Sequence, residues 1–128
     1  MNLVDSCGWL EYLGEGPNAG EFAPAIEDLD RLVVPTVVVM EVFKRILQQR
    51  GEGQGLRAVA YLRKGKVVDL DASLAIEAAL ISNTSKLSLA DSIVLATARK
   101  FGATLWTQDA DFQGVEGVKY IPHIQRTP

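Results

Sequence analysis

The feature that most constrains the fold is an alternation of short apolar segments, rich in branched residues, with longer amphipathic segments. The short segments are predicted strands and lie at Met1 to Val4, Leu32 to Pro35, Lys66 to Leu70, Thr104 to Thr107 and Val118 to Ile121. Helical periodicity is found between them, at residues 6–13, 21–30, 36–50, 54–64, 72–83 and 88–101. Strands that alternate with helices pair in parallel and are covered on both faces. The sequence therefore predicts an α/β domain.

Acidic residues recur where a parallel sheet binds ligands. Asp5 follows the first predicted strand, Glu41 lies early in the helix after the second, and Asp109 follows the fourth. The carboxyl ends of parallel strands share one edge of the sheet, and ligands bind in the crevice beyond that edge. Asp91 opens the helix that leads into the fourth strand, so the alternation alone does not place it at this edge.

Each of these acids also has a purely structural interpretation. Asp5 precedes the helical segment "SCGWLEYL" and is suited to be its N-cap. The run "SLAD" matches a capping box in which Asp91 bonds to the backbone of Ser88. Asp109 is able to cap the short turn "ADFQ", and a helical wheel puts Glu41 on a polar, solvated face. Taken singly, the four acids need no ligand.

The neighbours of two acids favour a shared function instead. The turn before Glu41, "TVVVM", is apolar all round, and "SIVLATA" after Asp91 leaves almost no polar face, which is typical of covered helices. Two carboxylates about 4 Å apart repel by about 4 kcal/mol at an effective dielectric constant of about 20. A cluster of four therefore needs protons or cations, and Mg²⁺ or Mn²⁺ suits such oxygen ligands.

Composition and charge limit the classes of protein to which the chain can belong. Its 128 residues, 48% of them hydrophobic and 23% charged, are typical of one globular domain. The apolar runs are shorter than the ~20 residues that span a bilayer, so we expect no membrane partner. The single cysteine, Cys7, forms no internal disulfide, which favours a cytoplasmic location. A formal net charge of -3 argues mildly against nucleic acid as a partner, unless bound metal offsets the carboxylates.

Three segments taken together resemble a known family. They are "NLVDSCGWLEYL" at the start, "MEVFKRIL" in the middle and, most specific, "KLSLADSIVLATARKFGATLWTQDADFQGVEGV" near the end. In this order and spacing they resemble a PIN-domain ribonuclease of the VapC toxin type, over essentially the whole chain. The resemblance implies a single PIN domain over residues 1–128. It also implies a three-layer α/β fold, with helices on a parallel sheet of five strands in the order 3-2-1-4-5.

The resemblance also implies roles for individual residues. The acidic quartet of the family, which is catalytic and binds metal, is matched by Asp5, Glu41, Asp91 and Asp109. Asp111 matches a fifth, less regular metal-binding acid. Ser6 or Thr107 matches a polar residue that orients a carboxylate. Such a site binds one or two Mg²⁺ or Mn²⁺ ions and hydrolyses RNA phosphodiester bonds with metal-activated water. The implied partners are RNA and a cognate antitoxin protein, in a homodimer or a toxin-antitoxin hetero-oligomer.

Two further surfaces are predicted from the helices at 36–50 and 54–64. Lys44 and Arg45 lie one turn beyond Glu41 and are candidates for binding RNA phosphates, although exposed basic residues often serve only solubility. Apolar residues on the same helices are suited to an antitoxin surface or, equally, to the core. These residues are Leu47, Leu56, Val59 and Leu62.

Three alternatives stay open. One is a PIN-type nuclease that processes RNA without a toxin role. A second is a phosphatase, because "KVVDLDAS" resembles the DxD opening of the haloacid dehalogenase type with Asp69 as nucleophile, although that motif belongs near the N-terminus. The third is a non-catalytic, receiver-like module, which needs a lysine at the end of its last strand, whereas Lys119 lies inside that strand.

Overall fold

The chain folds around a five-stranded sheet in which every strand pairing is parallel. The computed structural model describes residues 1–125, and its strands are β1 (Asn2–Val4), β2 (Leu32–Pro35), β3 (Lys66–Val68), β4 (Thr104–Thr107) and β5 (Val118–Tyr120). Their order across the sheet is β3-β2-β1-β4-β5. The predicted α/β class and the strand order that the resemblance implied are both confirmed.

Six α-helices lie between the strands in the described part of the chain. They are α1 (Ser6–Leu13), α2 (Ala19–Ile26), α3 (Thr36–Arg50), α4 (Glu52–Leu62), α5 (Ala72–Thr84) and α6 (Leu89–Lys100). None of these helices is long and apolar enough to cross a membrane.

The largest departure from the predicted elements is at α2. The helix predicted at residues 21–30 begins earlier, at Ala19, and ends at Ile26, and a separate 3-10 turn, Leu29–Arg31, leads into β2. The backbone of Asp28 has left the helical region, with ψ at 74°, so helical hydrogen bonding does not continue through it. The three residues of the 3-10 turn are all exposed, so the buried face of α2 does not continue into it.

Helices cover both faces of the sheet. All four residues of β2 are buried, and successive residues of a strand point to opposite faces. At the centre, Leu3 of β1 is in register with Val33 of β2 and Leu105 of β4, and all three are fully buried. Burial of each such side chain contributes roughly 1.5–3 kcal/mol, which holds β1 firmly between its two neighbours.

The start of α1 packs closely on the sheet because Gly8 has no side chain. A Cβ atom at Gly8 would lie 2.7 Å from Val4 Cγ1 and 2.7 Å from Phe22 Cε1. Val4 and Phe22 are both fully buried, so neither has space to move away. This close approach fixes the first turn of α1 against the carboxyl end of β1.

The centre of the sheet is a topological switch point. The chain leaves β1 towards β2 on one side and leaves β4 towards β5 on the other, which opens a crevice at their carboxyl ends. The backbone amide of Asp5 donates to the carbonyl of Trp106 at 3.0 Å, so the pairing of these strands extends to the first acid. Residues that follow β1 and β4 therefore face one another across the crevice.

Candidate metal centre

Asp5 joins the end of β1 to the start of α1 and is held by three hydrogen bonds. Its Oδ1 accepts from the Ser6 backbone amide at 2.8 Å, so the predicted capping role is real. Its Oδ2 accepts from the Thr107 hydroxyl at 3.0 Å and from the Cys7 thiol at 3.6 Å. The side chain is only 3% exposed. Asp5 is thus a helix cap that also fixes a buried carboxylate at the crevice.

Asp91 lies in the first turn of α6, whose N-terminus is set by Ser88. The Ser88 hydroxyl accepts from the Asp91 amide at 3.1 Å, which confirms that half of the predicted capping box. The fully buried Ser92 hydroxyl donates to the Ser88 carbonyl at 2.8 Å. These bonds fix the first turn of α6 and leave the half-buried Asp91 carboxylate facing the crevice.

Asp109 and Asp111 follow β4 in a short 3-10 turn. The Asp109 amide donates to the Thr107 hydroxyl at 3.0 Å, and the Asp109 carboxylate accepts from the Asp111 amide at 2.9 Å. The predicted cap of this turn is therefore present as well. Asp111 itself is exposed, at the rim of the site.

Three of the predicted acids converge. Asp5, Asp91 and Asp109 each offer a carboxylate oxygen that lies within 4.8 Å of the other two. The capping interpretation and the clustering interpretation are thus both correct for Asp5 and Asp109, whose carboxylates accept from backbone amides. Asp91 joins them from the first turn of α6, where its amide donates to the Ser88 hydroxyl.

The electrostatics of the group show mutual repulsion. Burial is the main cause that raises the pKa of Asp5, and the charge of Asp109 adds to it. The pKa of Asp91 is raised from its ordinary 3.8 to about 6, first by burial and then by the charges of Asp5 and Asp109, with a smaller contribution from Asp111. Within residues 1–125 no basic side chain forms an ion pair with any of the three.

Glu41 lies beside this group without completing it. Its side chain is half-buried, so the solvated face that the helical wheel suggested is wrong. Burial, followed by the charges of Asp5 and Asp91, raises its pKa, while a hydrogen bond with Ser6 lowers it. The charges of the cluster therefore act on Glu41, and Ser6 forms a hydrogen bond with the Glu41 carboxylate.

The remaining predicted residues fall into two groups. Thr107 is fully buried and bridges Asp5 to the Asp109 backbone, which fits its predicted orienting role. Lys44 and Arg45 are both exposed on α3, and of the two only Arg45 lines a groove beside the site.

Two residues near the site were not found from the sequence. Cys7 was interpreted as a packing residue. Its thiol donates a hydrogen bond to the Asp5 carboxylate, and its sulfur lies 3.3 Å from the Thr107 hydroxyl oxygen. The buried Asn18 donates to Gln108 Oε1 at 3.1 Å and to the Pro122 carbonyl at 2.9 Å, and so anchors the loop that carries Asp109. These contacts join residues about a hundred positions apart, and no local pattern signals them.

The residues behind the alternative interpretations lie elsewhere. Asp69 follows β3, an edge strand that pairs with β2 alone, so it is outside the central crevice. Lys119 is inside β5 and its ammonium group lies 4.1 Å from the centre of the Trp106 ring. Of the suggested antitoxin surface, Leu62 is fully buried, whereas Leu47 and Leu56 are exposed.

The donor chemistry of the acidic group fits a hard divalent cation. Its ligand atoms are carboxylate oxygens alone, with no histidine or thiolate among them. Oxygen donors of this type favour Mg²⁺ or Mn²⁺ over the softer transition metals. The uncompensated charge of the three carboxylates adds a second reason, because a cation relieves their repulsion.

Several solved structures of toxin-antitoxin proteins share this fold. A toxin-antitoxin complex from Klebsiella pneumoniae aligns with 93% of this chain and 96% of its own, with a TM-score of 0.76 and 23% identity. The sarcin-ricin loop cleaving toxin VapC20 of Mycobacterium tuberculosis aligns with 91% of this chain and 95% of its own, with a TM-score of 0.72 and 18% identity. DNA-bound VapBC from Salmonella typhimurium aligns with 95% of this chain and 98% of its own, with a TM-score of 0.72 and 15% identity. At these identities the likeness establishes a common fold.

Comparison at the level of sequence gives the family. No curated protein sequence matches this chain significantly. The family model of the PIN domain matches residues 3–118, a range that includes Asp5, Asp91 and Asp109. The chain therefore belongs to the PIN domain family.

Proposed function

We propose that this protein is a metal-dependent endoribonuclease and the toxin of a toxin-antitoxin pair, acting in the cytoplasm as a single PIN domain over residues 1–128. The observation that carries the proposal is the group formed by Asp5, Asp91 and Asp109, three carboxylates within 4.8 Å of one another without a basic partner among the described residues. A cluster of unpaired carboxylates lowers the stability of a folded protein. Its presence therefore favours a ligand that binds there.

In the proposed site, Asp5, Asp91 and Asp109 hold Mg²⁺ or Mn²⁺, and Glu41 and Asp111 add negative charge at the margin. A bound divalent cation supplies positive charge for the phosphate oxygens and lowers the pKa of water that attacks phosphorus. Thr107 acts on the ligands, because its hydroxyl donates to Asp5 and accepts from the Asp109 amide. Such hydrogen bonds orient the carboxylates before metal and substrate arrive.

The other chemistry-bearing side chains support hydrolysis by water. Burial, with the charge of Asp5 next, raises the pKa of the Cys7 thiol to about 12, so it stays protonated and is a poor nucleophile. His123 is exposed near the end of the described chain and makes no hydrogen bond with the acids. Arg45 and Lys44, on α3 beyond Glu41, are the proposed contacts to RNA phosphates.

The toxin role is proposed from the fold and from exposed apolar residues. The structures that share the fold are toxins or toxin-antitoxin complexes. Leu47 on α3 is 41% exposed and Leu56 on α4 is 54% exposed, although both helices pack tightly elsewhere. An amphipathic antitoxin segment that lays its apolar face on these residues accounts for their exposure.

Incubation with total RNA tests the ribonuclease. The purified protein is expected to cleave RNA in Mg²⁺ or Mn²⁺ and to lose cleavage in excess chelator, and the mapped ends identify the site of hydrolysis. A matched control is Asp71→Asn, an acid at the start of another helix, which is expected to keep full activity. Undiminished cleavage in chelator contradicts the metal proposal.

Co-expression tests the toxin role separately. The wild-type chain is expected to arrest growth, Asp5→Asn is expected to be harmless, and the product of the adjacent upstream gene is expected to restore growth and co-purify. Equal growth with and without the wild-type chain, at matched expression, leaves a PIN nuclease that processes RNA in another context.

A further inference from the structure

A groove of about 730 Å³ begins beside the acidic group and runs between α1, α3 and α4. Cys7, which contacts Asp5, and Gln108, which precedes Asp109, line its inner end. Glu11 lies one helical turn beyond Cys7 on α1, about 6 Å further along the helix axis. The inner end of the groove is therefore one hydrogen bond away from Asp5, and the groove continues along α1.

The opposite wall of the groove follows α3 in the same direction. Arg45 is four residues beyond Glu41, so both side chains lie on one face of that helix. Arg50 on α3 and Arg57 on α4 also line the groove, so it contains three arginines against the single carboxylate of Glu11. In a chain of net charge -3, this groove is a locally positive surface that suits a phosphodiester backbone.

Glu11 is the unusual member of this surface. Its Oε2 atom is buried and has no hydrogen-bond partner in the described part of the chain. A Cβ atom at Gly16 would collide with Oε1 of Glu11, so the absence of a side chain at Gly16 leaves the space that this carboxylate occupies. A buried, unsatisfied acceptor destabilises the free protein, and a donor supplied to this carboxylate from the groove would relieve that cost.

We propose that the groove seats a nucleotide next to the scissile phosphate of single-stranded RNA, and that Glu11 recognises guanine at this position. The inference rests on the proposed ribonuclease function and names a specificity-determining residue for it. The arginines bind the backbone, which carries no sequence information, whereas the carboxylate contacts a base edge.

The choice of guanine follows from the chemistry of a carboxylate, which only accepts hydrogen bonds. Guanine presents two adjacent donors, N1–H and the N2 amino group, on its Watson–Crick edge. Adenine and cytosine each place a ring-nitrogen acceptor beside their amino donor, and uracil flanks N3–H with two carbonyl oxygens. These acceptors repel Glu11, so guanine is the base that the groove favours.

Binding measurements in excess chelator test the inference without hydrolysis. Fluorescence anisotropy compares labelled oligouridylates that carry one central guanosine, inosine or adenosine; inosine lacks only the N2 amino group. For the wild-type protein, guanosine is expected to bind roughly tenfold more tightly than inosine. Glu11→Gln is expected to abolish that ratio, and Arg45→Ala is expected to weaken all three RNAs equally. Arg99→Ala, which removes an exposed arginine of α6 outside the groove, is the matched control and is expected to bind like wild type.

A second variant moves Glu11 without replacing it. The φ angle of Gly16 is not positive, so alanine is compatible with its backbone, and the added Cβ displaces the Glu11 carboxylate. Gly16→Ala is therefore expected to lose the guanosine preference while its circular dichroism spectrum stays that of wild type. This variant keeps the test valid if Glu11→Gln folds poorly.

Three outcomes overturn the inference. Equal binding of guanosine and inosine by the wild-type protein is one, and a guanosine preference that persists in both Glu11→Gln and Gly16→Ala is another. The third is an Arg45→Ala variant that binds RNA like wild type but no longer co-purifies with the product of the upstream gene. That result identifies the groove as a protein-binding surface. Cleavage of total RNA in Mn²⁺ is measured in parallel: cleavage without a guanine preference removes this inference alone, whereas no cleavage removes the ribonuclease.

Discussion

Two aspartates, Asp71 and Asp5, cap α-helices in the described part of the chain, and their electrostatic surroundings are opposite. Asp71 caps α5 by accepting from the Leu74 amide at 2.8 Å, and its exposed carboxylate lies 3.7 Å from the Lys100 ammonium group. The hydrogen bond from Leu74 is the main cause that lowers its pKa. Asp5 also caps a helix, α1, but it is buried beside other acids, and burial raises its pKa.

The contrast separates what a sequence motif specifies from what its surroundings decide. An aspartate precedes a helix at both positions, and both form a cap. At Asp71 the cap and a lysine satisfy the carboxylate, so nothing further is needed. At Asp5 the cap leaves a buried charge that repels Asp91 and Asp109, and a bound cation would relieve this repulsion.

The largest expected effect is on catalysis. Asp5→Asn keeps the shape of the side chain and an oxygen for the Ser6 amide, but it removes the ligand charge. We expect RNA cleavage to fall at least about a hundredfold, which corresponds to roughly 3 kcal/mol of transition-state stabilisation. Asp71→Asn, measured at equal concentration in the same assay, is expected to retain wild-type activity. If both substitutions reduce cleavage equally, the two caps do not differ as described.

The next effect is stabilisation by metal. A ligand that binds only the folded state raises the free energy of unfolding by about 2.7 kcal/mol at a hundred times its Kd. Mg²⁺ or Mn²⁺ is expected to raise the Tm of the wild-type protein and of Asp71→Asn alike, and to raise that of Asp91→Asn far less. Thermal unfolding at a series of metal concentrations measures the difference. An identical metal response in all three proteins places the binding site elsewhere.

A smaller effect is expected from the hydroxyl that supports the buried cap. Thr107→Val removes the hydrogen bonds to Asp5 and from the Asp109 amide while it keeps the volume of the side chain. Loss of such support lowers metal affinity by roughly tenfold to a hundredfold. Isothermal titration calorimetry with Mn²⁺ measures the change. Thr104→Val, at an exposed position on the same strand, is the control, and a matching loss there attributes the effect to the strand.

The smallest effect is on the stability of the metal-free protein at different pH values. Because the folded state raises the pKa of Asp91 from 3.8 to about 6, it binds a proton more tightly than the unfolded state. Stability therefore falls as pH rises from about 4 to about 6, by about 1 kcal/mol once partial exposure is allowed for. Asp91→Asn is expected to lose that pH dependence and to have a higher Tm at pH 7 in chelator.

The Asp71→Asn substitution is not expected to raise the Tm at pH 7, in contrast to Asp91→Asn. The lowered pKa of Asp71 means that the charged form stabilises the fold, so the substitution is expected to leave the Tm at pH 7 unchanged or slightly reduced. Melting curves in chelator across this pH range measure both variants. A reduced Tm at pH 7 for Asp91→Asn assigns that residue a capping role alone.

Local patterns were sufficient to predict most of the fold. Alternating apolar strands and amphipathic helices predict parallel pairing, whereas the strand order, which brings the ends of β1 and β4 together, was implied by the family resemblance. The position of Asp91 needed the family resemblance, because a residue at the start of α6 is not directed to that edge by alternation. The helical wheel misplaced Glu41 because it describes the faces of one helix and not what packs on them.

Contacts between distant parts of the chain were beyond prediction from residues alone. Asn18 binds Gln108 and the Pro122 carbonyl, and Thr107 connects Asp5 with the Asp109 backbone. Each contact requires the finished sheet to bring its partners together.

The pairing of β1 with β4 also sets when the proposed activity first exists during synthesis. Asn2 to Val4 pair with Thr104 to Trp106, and the carboxylates come from both ends of this span. A ribosome must therefore translate past Asp109, and release β4 from the exit tunnel, before the three acids can meet. Until then the nascent polypeptide carries Asp5 without Asp109. The proposed ribonuclease therefore lacks its complete acidic group until β4 has left the ribosome.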